Sequence, residues 1–186
     1  MMSFSPWNLL GGAALVGAAL IVSLIAIAAL VITYVLTSMG IMNMAKARGH
    51  ASPNLAWIPI VKYFLLGQLV PGDEITAFGT MKIKPVGVLF LVLNVVSALL
   101  GRVTVLGVLV NIALGLFVFF VFQKLYEHDF DNATVIAVLI AAVPIISAVM
   151  PSSVSWISSI LSLVMPVTLF IAGRKELENA GRPPLL

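Results

Sequence analysis

The sequence predicts an all-α fold: a polytopic transmembrane helical bundle with five spans and one interfacial or re-entrant cytoplasmic helix. No Asp, Glu, Lys, Arg or His occurs in 7–45, 86–101, 103–123 or 133–173. A spanning helix needs about 20 mostly apolar residues, and runs of this kind would give a soluble helix no face for water. Composition agrees, since 61% of residues are hydrophobic and 9% are charged, against about 45–50% and 25% in soluble domains. We therefore expect 1–186 to form a single membrane domain.

The expected spans follow these runs in chain order and cover about 8–44, 84–101, 103–123, 133–150 and 154–173. The first is longer than one crossing requires, so we expect it to tilt or to project past the headgroups. Two prolines, Pro144 and Pro166, lie inside the last two spans. Each is expected to kink its helix, because proline removes a backbone donor and crowds the preceding turn.

The segment 53–70 is apolar enough to suggest a sixth crossing, but Lys62 lies at its middle and Pro59 interrupts it. A lysine at mid-bilayer costs about 2.5–3.5 kcal/mol on insertion scales. With five spans and the N-terminus outside, nine Lys and Arg residues are cytoplasmic and only Arg102 is outside. Because basic residues concentrate in cytoplasmic loops, this count favours five spans and a cytoplasmic C-terminus. It leaves open whether the segment lies on the membrane or dips into it.

Two stretches, MAKARGHASPNLAWIPIVKYFLLGQL and KLYEHDFDNATVIAVLI, resemble segments of small bacterial multi-pass membrane proteins of unassigned function. In that group a basic turn after the first span precedes a Trp-Ile-Pro segment, and a second turn precedes the penultimate span. The resemblance covers about a third of the chain. It implies a bacterial plasma-membrane protein and no particular activity. The matching residues are Ala45, Lys46, Gly49, Trp57, Ile58, Pro59, Tyr63, Leu66, Gly67, Lys124, Tyr126, Asn132 and Ala133.

Two asparagines, Asn94 and Asn111, are the strongly polar residues well inside the second and third spans. They are equidistant from a turn near positions 102 and 103, so we expect an Asn94–Asn111 contact within this hairpin. Gly107 and Gly115 share the face of Asn111, and small residues allow close helix packing. Packing is the favoured interpretation. The alternative is the lining of a polar path, because polar groups inside membranes often mark pathways.

A second polar face is expected on the fifth span, where four serines recur at helical spacing. Packing against another helix is again favoured, and a hydroxyl-lined pore wall in an oligomer is the alternative. The four are Ser155, Ser158, Ser159 and Ser162.

Five basic side chains are expected to contact lipid headgroups, worth about 1 kcal/mol each near an anionic surface. These are Lys46, Arg48, Lys62, Lys82 and Lys84. The cluster 127–131 joins carboxylates to one histidine, but its spacing fits no metal motif, and its acidic residues suit the start of a helix. The chain contains no cysteine. We expect no catalytic residue, metal site or cofactor. The net charge of +3 does not suggest nucleic-acid binding.

Three function classes remain. A non-enzymatic accessory, assembly or interaction subunit is favoured, bound to the lipid bilayer and to a membrane-protein partner or further copies of itself. The alternative is a small oligomeric permease or channel. Coupled transport usually needs an ionisable group within the membrane, and the predicted spans contain none. A lipid-modifying enzyme is less favoured, and its site would lie at the cytoplasmic interface among Lys62, Asp73, Glu74, Glu127, His128, Asp129 and Asp131.

Overall fold

The computed structural model describes residues 6–101, 104–149 and 155–181, with side chains described from position 15 onward except at 104 and 155. Within these ranges the chain is mostly helical, as predicted. The α-helices are α1 Pro6–Ala47, α2 Val61–Gln68, α3 Val86–Leu100, α4 Thr104–Tyr126, α5 Ala133–Val149, α6 Ser155–Leu161 and α7 Val164–Asn179. Two 3-10 turns, Pro53–Trp57 and Pro71–Asp73, and two strands, β1 Ile75–Ala77 and β2 Met81–Ile83, lie between α1 and α3.

Three helical stretches are long and apolar enough to cross a membrane: Leu15–Ala47, Val105–Tyr126 and Trp156–Asn179. The last of these joins α6 to α7. Helices α3 and α5 are apolar but contain 15 and 17 residues. At 1.5 Å per residue they measure about 22 and 25 Å. The three long apolar helices therefore support a membrane protein. The exact number of five spans stays a prediction.

Two compact units divide the chain, one ending at Val35 and the other beginning at Leu36. In the first unit, the large apolar side chains from Leu15 to Ile32 are 51–74% exposed. Among the described residues, no atom outside the adjoining backbone of α1 lies within 4 Å of the position that a Cβ on Gly17 would take. The expectation of a single membrane domain stays a prediction, because predicted spanning residues occur in both units.

The core of the second unit lies where the last turns of α1 and α4 meet the first turns of α3 and α5, with buried residues along α7. Consecutive long helices therefore alternate in direction through this layer. Side chains at the opposite helix ends are exposed, among them Leu99, Val105, Val149 and Trp156. Large side chains buried in the layer include Ile41, Met44, Leu65, Leu66, Phe90, Phe122, Leu125, Tyr126, Leu169 and Leu177.

The ambiguous segment between α1 and β1 doubles back on itself. Arg48 Nη1 donates a hydrogen bond to the Leu69 carbonyl, and His50 Nε2 lies 3.0 Å from Gln68 Oε1. A crossing segment would separate its ends by about 30 Å, so these contacts exclude a traverse of the bundle. The expected helix over 53–70 is interrupted at 58–60, the stretch that contains Pro59. The second half of the expected helix is α2.

A short antiparallel β-hairpin follows α2 and was not predicted. Ile75 pairs with Ile83 and Ala77 with Met81. The turn places Phe78 and Gly79 at positive φ, 51° and 76°. A bulky residue rarely adopts this conformation, and here the Phe78 ring packs against Phe120 of α4 with centroids 5.3 Å apart.

The predicted fifth span is interrupted just before Pro166. Helix α6 ends at Leu161 and α7 begins at Val164, with Pro166 in its first turn. Pro166 cannot donate to the carbonyl of residue 162 and its ring crowds that carbonyl, so the break falls at 162–163. Helix α5, in contrast, continues through Pro144.

Candidate functional site

The most developed polar arrangement lies where the ends of α1, α2 and α7 meet the turn between α4 and α5. We call its four charged residues the charged junction: Arg48, Asp129, Lys175 and Glu176. Arg48 follows the last turn of α1, where Gly49 adopts a positive φ of 69° and ends the helix. Arg48 Nε donates to Glu176 Oε2 at 2.8 Å, and Nη2 donates to Glu176 Oε1. Paired charge-assisted hydrogen bonds of this kind are the stronger and more directional ones. Through Arg48, α1 is tied to α7 and to the end of α2.

Asp129, in the turn between α4 and α5, completes the junction. Lys175 Nζ donates to the Asp129 carbonyl at 3.0 Å and lies 5.1 Å from the centroid of the Phe130 ring. Asp129 and Glu176 line the same cavity. Its Oδ2 is buried and has no hydrogen-bond partner within the part of the chain that the structure describes.

Burial and the neighbouring negative charge of Glu176 raise the pKa of Asp129 to about 6, against the opposing positive charges of Arg48 and Lys175. Two neighbouring carboxyls repel when both are ionised, and a proton bound by one of them removes that repulsion. The junction therefore brings two carboxyls and two cations to the edge of one cavity.

A cavity of about 530 Å³ adjoins the junction and is also lined by Gln68, His128 and Asn179. This lining offers hydrogen-bond donors and acceptors for a small polar group. Among the described residues, no group of three or more His, Cys, Asp or Glu side chains could hold a metal ion.

A second cavity, of about 690 Å³, lies between the β-hairpin and the turn joining α4 to α5. One wall carries Glu74 with Lys84 and Lys82, whose ammonium groups lie 2.5 and 3.3 Å from its carboxylate. The other wall carries Lys124, 2.7 Å from Glu127. Hydrogen bonds from these lysines lower the pKa values of both glutamates. Exposed pairs of this kind contribute little stability.

The five basic residues expected at lipid headgroups have different surroundings. Arg48 directs its donors to Glu176 and Leu69, so its main contacts are within the protein. Lys62 lies 5.5 Å from the Tyr63 ring centroid. Lys82 and Lys84 share Glu74, yet their side chains remain 73% and 58% exposed. Headgroup contact by these two lysines and by Lys46 stays a prediction.

The expected Asn94–Asn111 contact is wrong. Asn111 Oδ1 accepts a hydrogen bond from Ser97 at 2.9 Å, and Asn94 Nδ2 donates to the Phe90 carbonyl of its own helix. A Cβ on Gly107 would lie 2.6 Å from the Gly101 carbonyl oxygen. Both cross-helix pairs are therefore centred on position 104 rather than between 102 and 103. This shift moves the partner of Asn111 by almost one helical turn.

Gly115 does not belong to the same interface. A Cβ there would lie 2.6 Å from Ile145 and 2.9 Å from the Ala141 carbonyl oxygen. Its role is thus the close packing of α4 on α5, whereas Gly107 and Asn111 serve the packing of α3 on α4. These contacts agree with packing, and the lining of a polar path stays the alternative prediction for all three residues.

The four serines do not form one buried face. Ser158 is buried, whereas Ser159 and Ser162 are exposed, and the Ser155 side chain lies outside the described part. Ser162 Oγ donates to the Ser159 carbonyl at 2.7 Å. The helix ends at Leu161, and the Ser162 N–H still donates to the Ser158 carbonyl at 2.9 Å, so Ser162 lies at the C-terminal end of this helix.

Sequence reasoning missed the tightest helix crossings. A Cβ on Gly40 of α1 would lie 2.5 Å from the Leu169 carbonyl carbon, and one on Gly173 would lie 2.4 Å from the Gly40 carbonyl oxygen. Asn43, fully buried beside Gly173, has no hydrogen-bond partner for its amide among the described residues. Glycine in the last turns of two apolar helices was the available signal.

Comparison with family models, with curated proteins and with solved structures gives no match for this chain.

Proposed function

We propose that this chain is a multi-pass protein of the bacterial plasma membrane that crosses the bilayer five times, with 53–70 as a re-entrant cytoplasmic segment. The alternating helix directions support this topology. So do the contacts that bring the two ends of 50–69 together. The N-terminus would be outside and the C-terminus cytoplasmic, which places the charged junction at the inner surface and agrees with the positive-inside rule.

Within the membrane, the protein acts as a non-enzymatic accessory or assembly subunit whose first helix binds another membrane protein. The observation that carries this proposal is the exposed apolar surface of α1 over 15–32. Gly17 lies on that surface with open space around it. Small residues let a neighbouring helix approach closely, and in lipid such packing is a main source of helix association.

The test is affinity purification of the full chain in mild detergent, followed by identification of bound proteins. We expect one partner at a fixed ratio, lost in Gly17→Ile because the added side chain holds a neighbouring helix away. Leu24→Ile is the matched control, since it leaves apolar volume on the same helix almost unchanged. A homogeneous homo-oligomer that conducts ions in liposomes would instead establish a channel and refute the proposal.

The topology is tested separately with single cysteines, because the chain has none of its own. Phe78 is 73% exposed at the tip of the hairpin, so Phe78→Cys should react with a membrane-impermeant maleimide only after the cells are opened. Arg102→Cys should react in intact cells. Labelling of position 78 from outside would contradict five spans with a cytoplasmic hairpin.

A further inference from the structure

We propose that Asp129 and Glu176 share one proton and that this proton fastens the turn between α4 and α5 to the ends of α1 and α7. The charged junction would then be a pH-sensitive clasp that tightens in acid and loosens when the proton leaves. This inference does not depend on the identity of a membrane partner.

The hydrogen-bond donors of the junction bypass the Asp129 carboxylate. Within the described chain, the donors of Arg48 bind the Glu176 carboxylate and the Leu69 carbonyl. Lys175 donates to the Asp129 backbone carbonyl rather than to its carboxylate. The Asp129 side chain is thus close to positive charges without receiving a proton from them.

One oxygen of the Asp129 carboxyl is buried. Asp129 Oδ2 is inaccessible and no donor within the described chain reaches it. A buried acceptor without a partner costs about 1–3 kcal/mol, and more when it is charged. A proton on the Asp129 carboxyl turns it into a donor toward Glu176, whose carboxylate is held in place by Arg48. The same proton removes the repulsion between the two carboxylates.

The surrounding groups define what else could titrate. Arg48 faces the pair from the end of α1, and Lys175 and Glu176 face it from α7. His128 lines the adjoining cavity from the same turn as Asp129, and Gln68 lines it from α2. Tyr126 approaches from α4. His128 lies in the same turn and lines the same cavity, so its replacement is the control that the experiment needs.

The direction in which stability changes with pH follows from proton linkage. The pKa of Asp129 is raised from 3.8 to about 6 in the folded protein, so the folded state binds the proton more tightly than the unfolded state. Stability from the shared proton is fully present below the unfolded pKa and is lost as pH rises through about 6. The protein should therefore be most stable on the acid side of this window.

The experiment measures thermal unfolding of the full chain in detergent from pH 4.5 to 8. For the wild type we expect Tm to fall by at least about 2–4 °C across this range, the scale on which 1 kcal/mol moves a chain of this size. Asp129→Asn keeps a donor toward Glu176 at every pH, so its profile should be flatter and its Tm at pH 8 higher than that of the wild type. His128→Gln should retain the wild-type slope.

A wild-type profile without a slope would overturn the proposal, as would a slope that persists in Asp129→Asn and disappears in His128→Gln. Infrared titration of the wild type decides the matter if Asp129→Asn does not fold. We expect a protonated carboxyl band at pH 5 that disappears with a midpoint near the pKa of about 6. Absence of that band at pH 5 would refute the shared proton directly.

Discussion

Replacement of Gly173 by alanine tests whether the contact between α1 and α7 depends on direct backbone approach. The added Cβ would lie 2.4 Å from the Gly40 carbonyl oxygen and 3.1 Å from Asn43 Cβ, whereas ordinary contact begins at 3.4 Å. The nearer obstacle is backbone, which cannot rotate away as a side chain can. The two helices must therefore separate locally by about 1 Å, and close packing at this crossing is lost.

Two opposing terms set the magnitude. Overpacking of this kind costs about 1–3 kcal/mol, while alanine gains about 0.5–1 kcal/mol over glycine inside a helix. With mid-range values of about 2 kcal/mol for the cost and about 0.75 kcal/mol for the gain, we expect Gly173→Ala to lower the free energy of unfolding by about 1 kcal/mol. Reversible unfolding in mixed micelles of dodecyl maltoside and SDS, followed by circular dichroism, measures this difference.

Gly17→Ala is the matched control, because it makes the same chemical change in an apolar helix where no described residue beyond the adjoining backbone comes within 4 Å of the added Cβ. Its stability should stay the same or rise by up to about 1 kcal/mol. If Gly173→Ala proves as stable as this control, the close backbone crossing between α1 and α7 is refuted.

Four further substitutions test individual polar side chains in the same unfolding assay. Asp73 Oδ1 accepts the first backbone N–H groups of α3, so Asp73→Ala should cost about 1 kcal/mol, and a smaller loss than a few tenths would show that the cap is dispensable. Ser97→Ala should cost about 0.6 kcal/mol while Asn94→Leu stays near neutral, and the reverse order would restore the rejected asparagine pair. Asn43→Leu should stabilise the protein by up to about 1–3 kcal/mol, because it removes a buried amide without partners, whereas a clear loss would reveal a partner for that amide.

The helices could be placed from sequence because the signal that defines them is summed over many residues. The uncharged runs locate α1, α3, α4 and α5 to within a few positions of the structure. A kink was predicted at both prolines; the helix is interrupted just before Pro166, whereas α5 is continuous through Pro144. The β-hairpin could not be found this way, since strands of three residues are too short for a periodic pattern, and Phe78 is an unusual residue for a left-handed turn.

Pairings between distant positions were harder to predict. Arg48 and Glu176 are 128 residues apart, and basic residues at the ends of spans are equally consistent with headgroup contact. The predicted register of the helical hairpin α3–α4 was wrong for a narrower reason. The midpoint of its short turn must be known to within one residue to align Asn111 with Ser97. Close approach at Gly40 and Gly173 depends on which helices become neighbours, which composition does not specify.

The unequal lengths of the helices bear on the lipids around the protein. Helix α4 has 23 residues and measures about 34 Å, whereas α3 has 15. A bilayer core is about 30 Å thick. If α3 crosses it, as the five-span proposal requires, the two leaflets are drawn together beside α3, at a cost of a fraction of a kcal/mol for each ångström. Shorter acyl chains should therefore gather beside α3. In reconstituted vesicles, stability and lateral clustering of this protein should follow acyl-chain length.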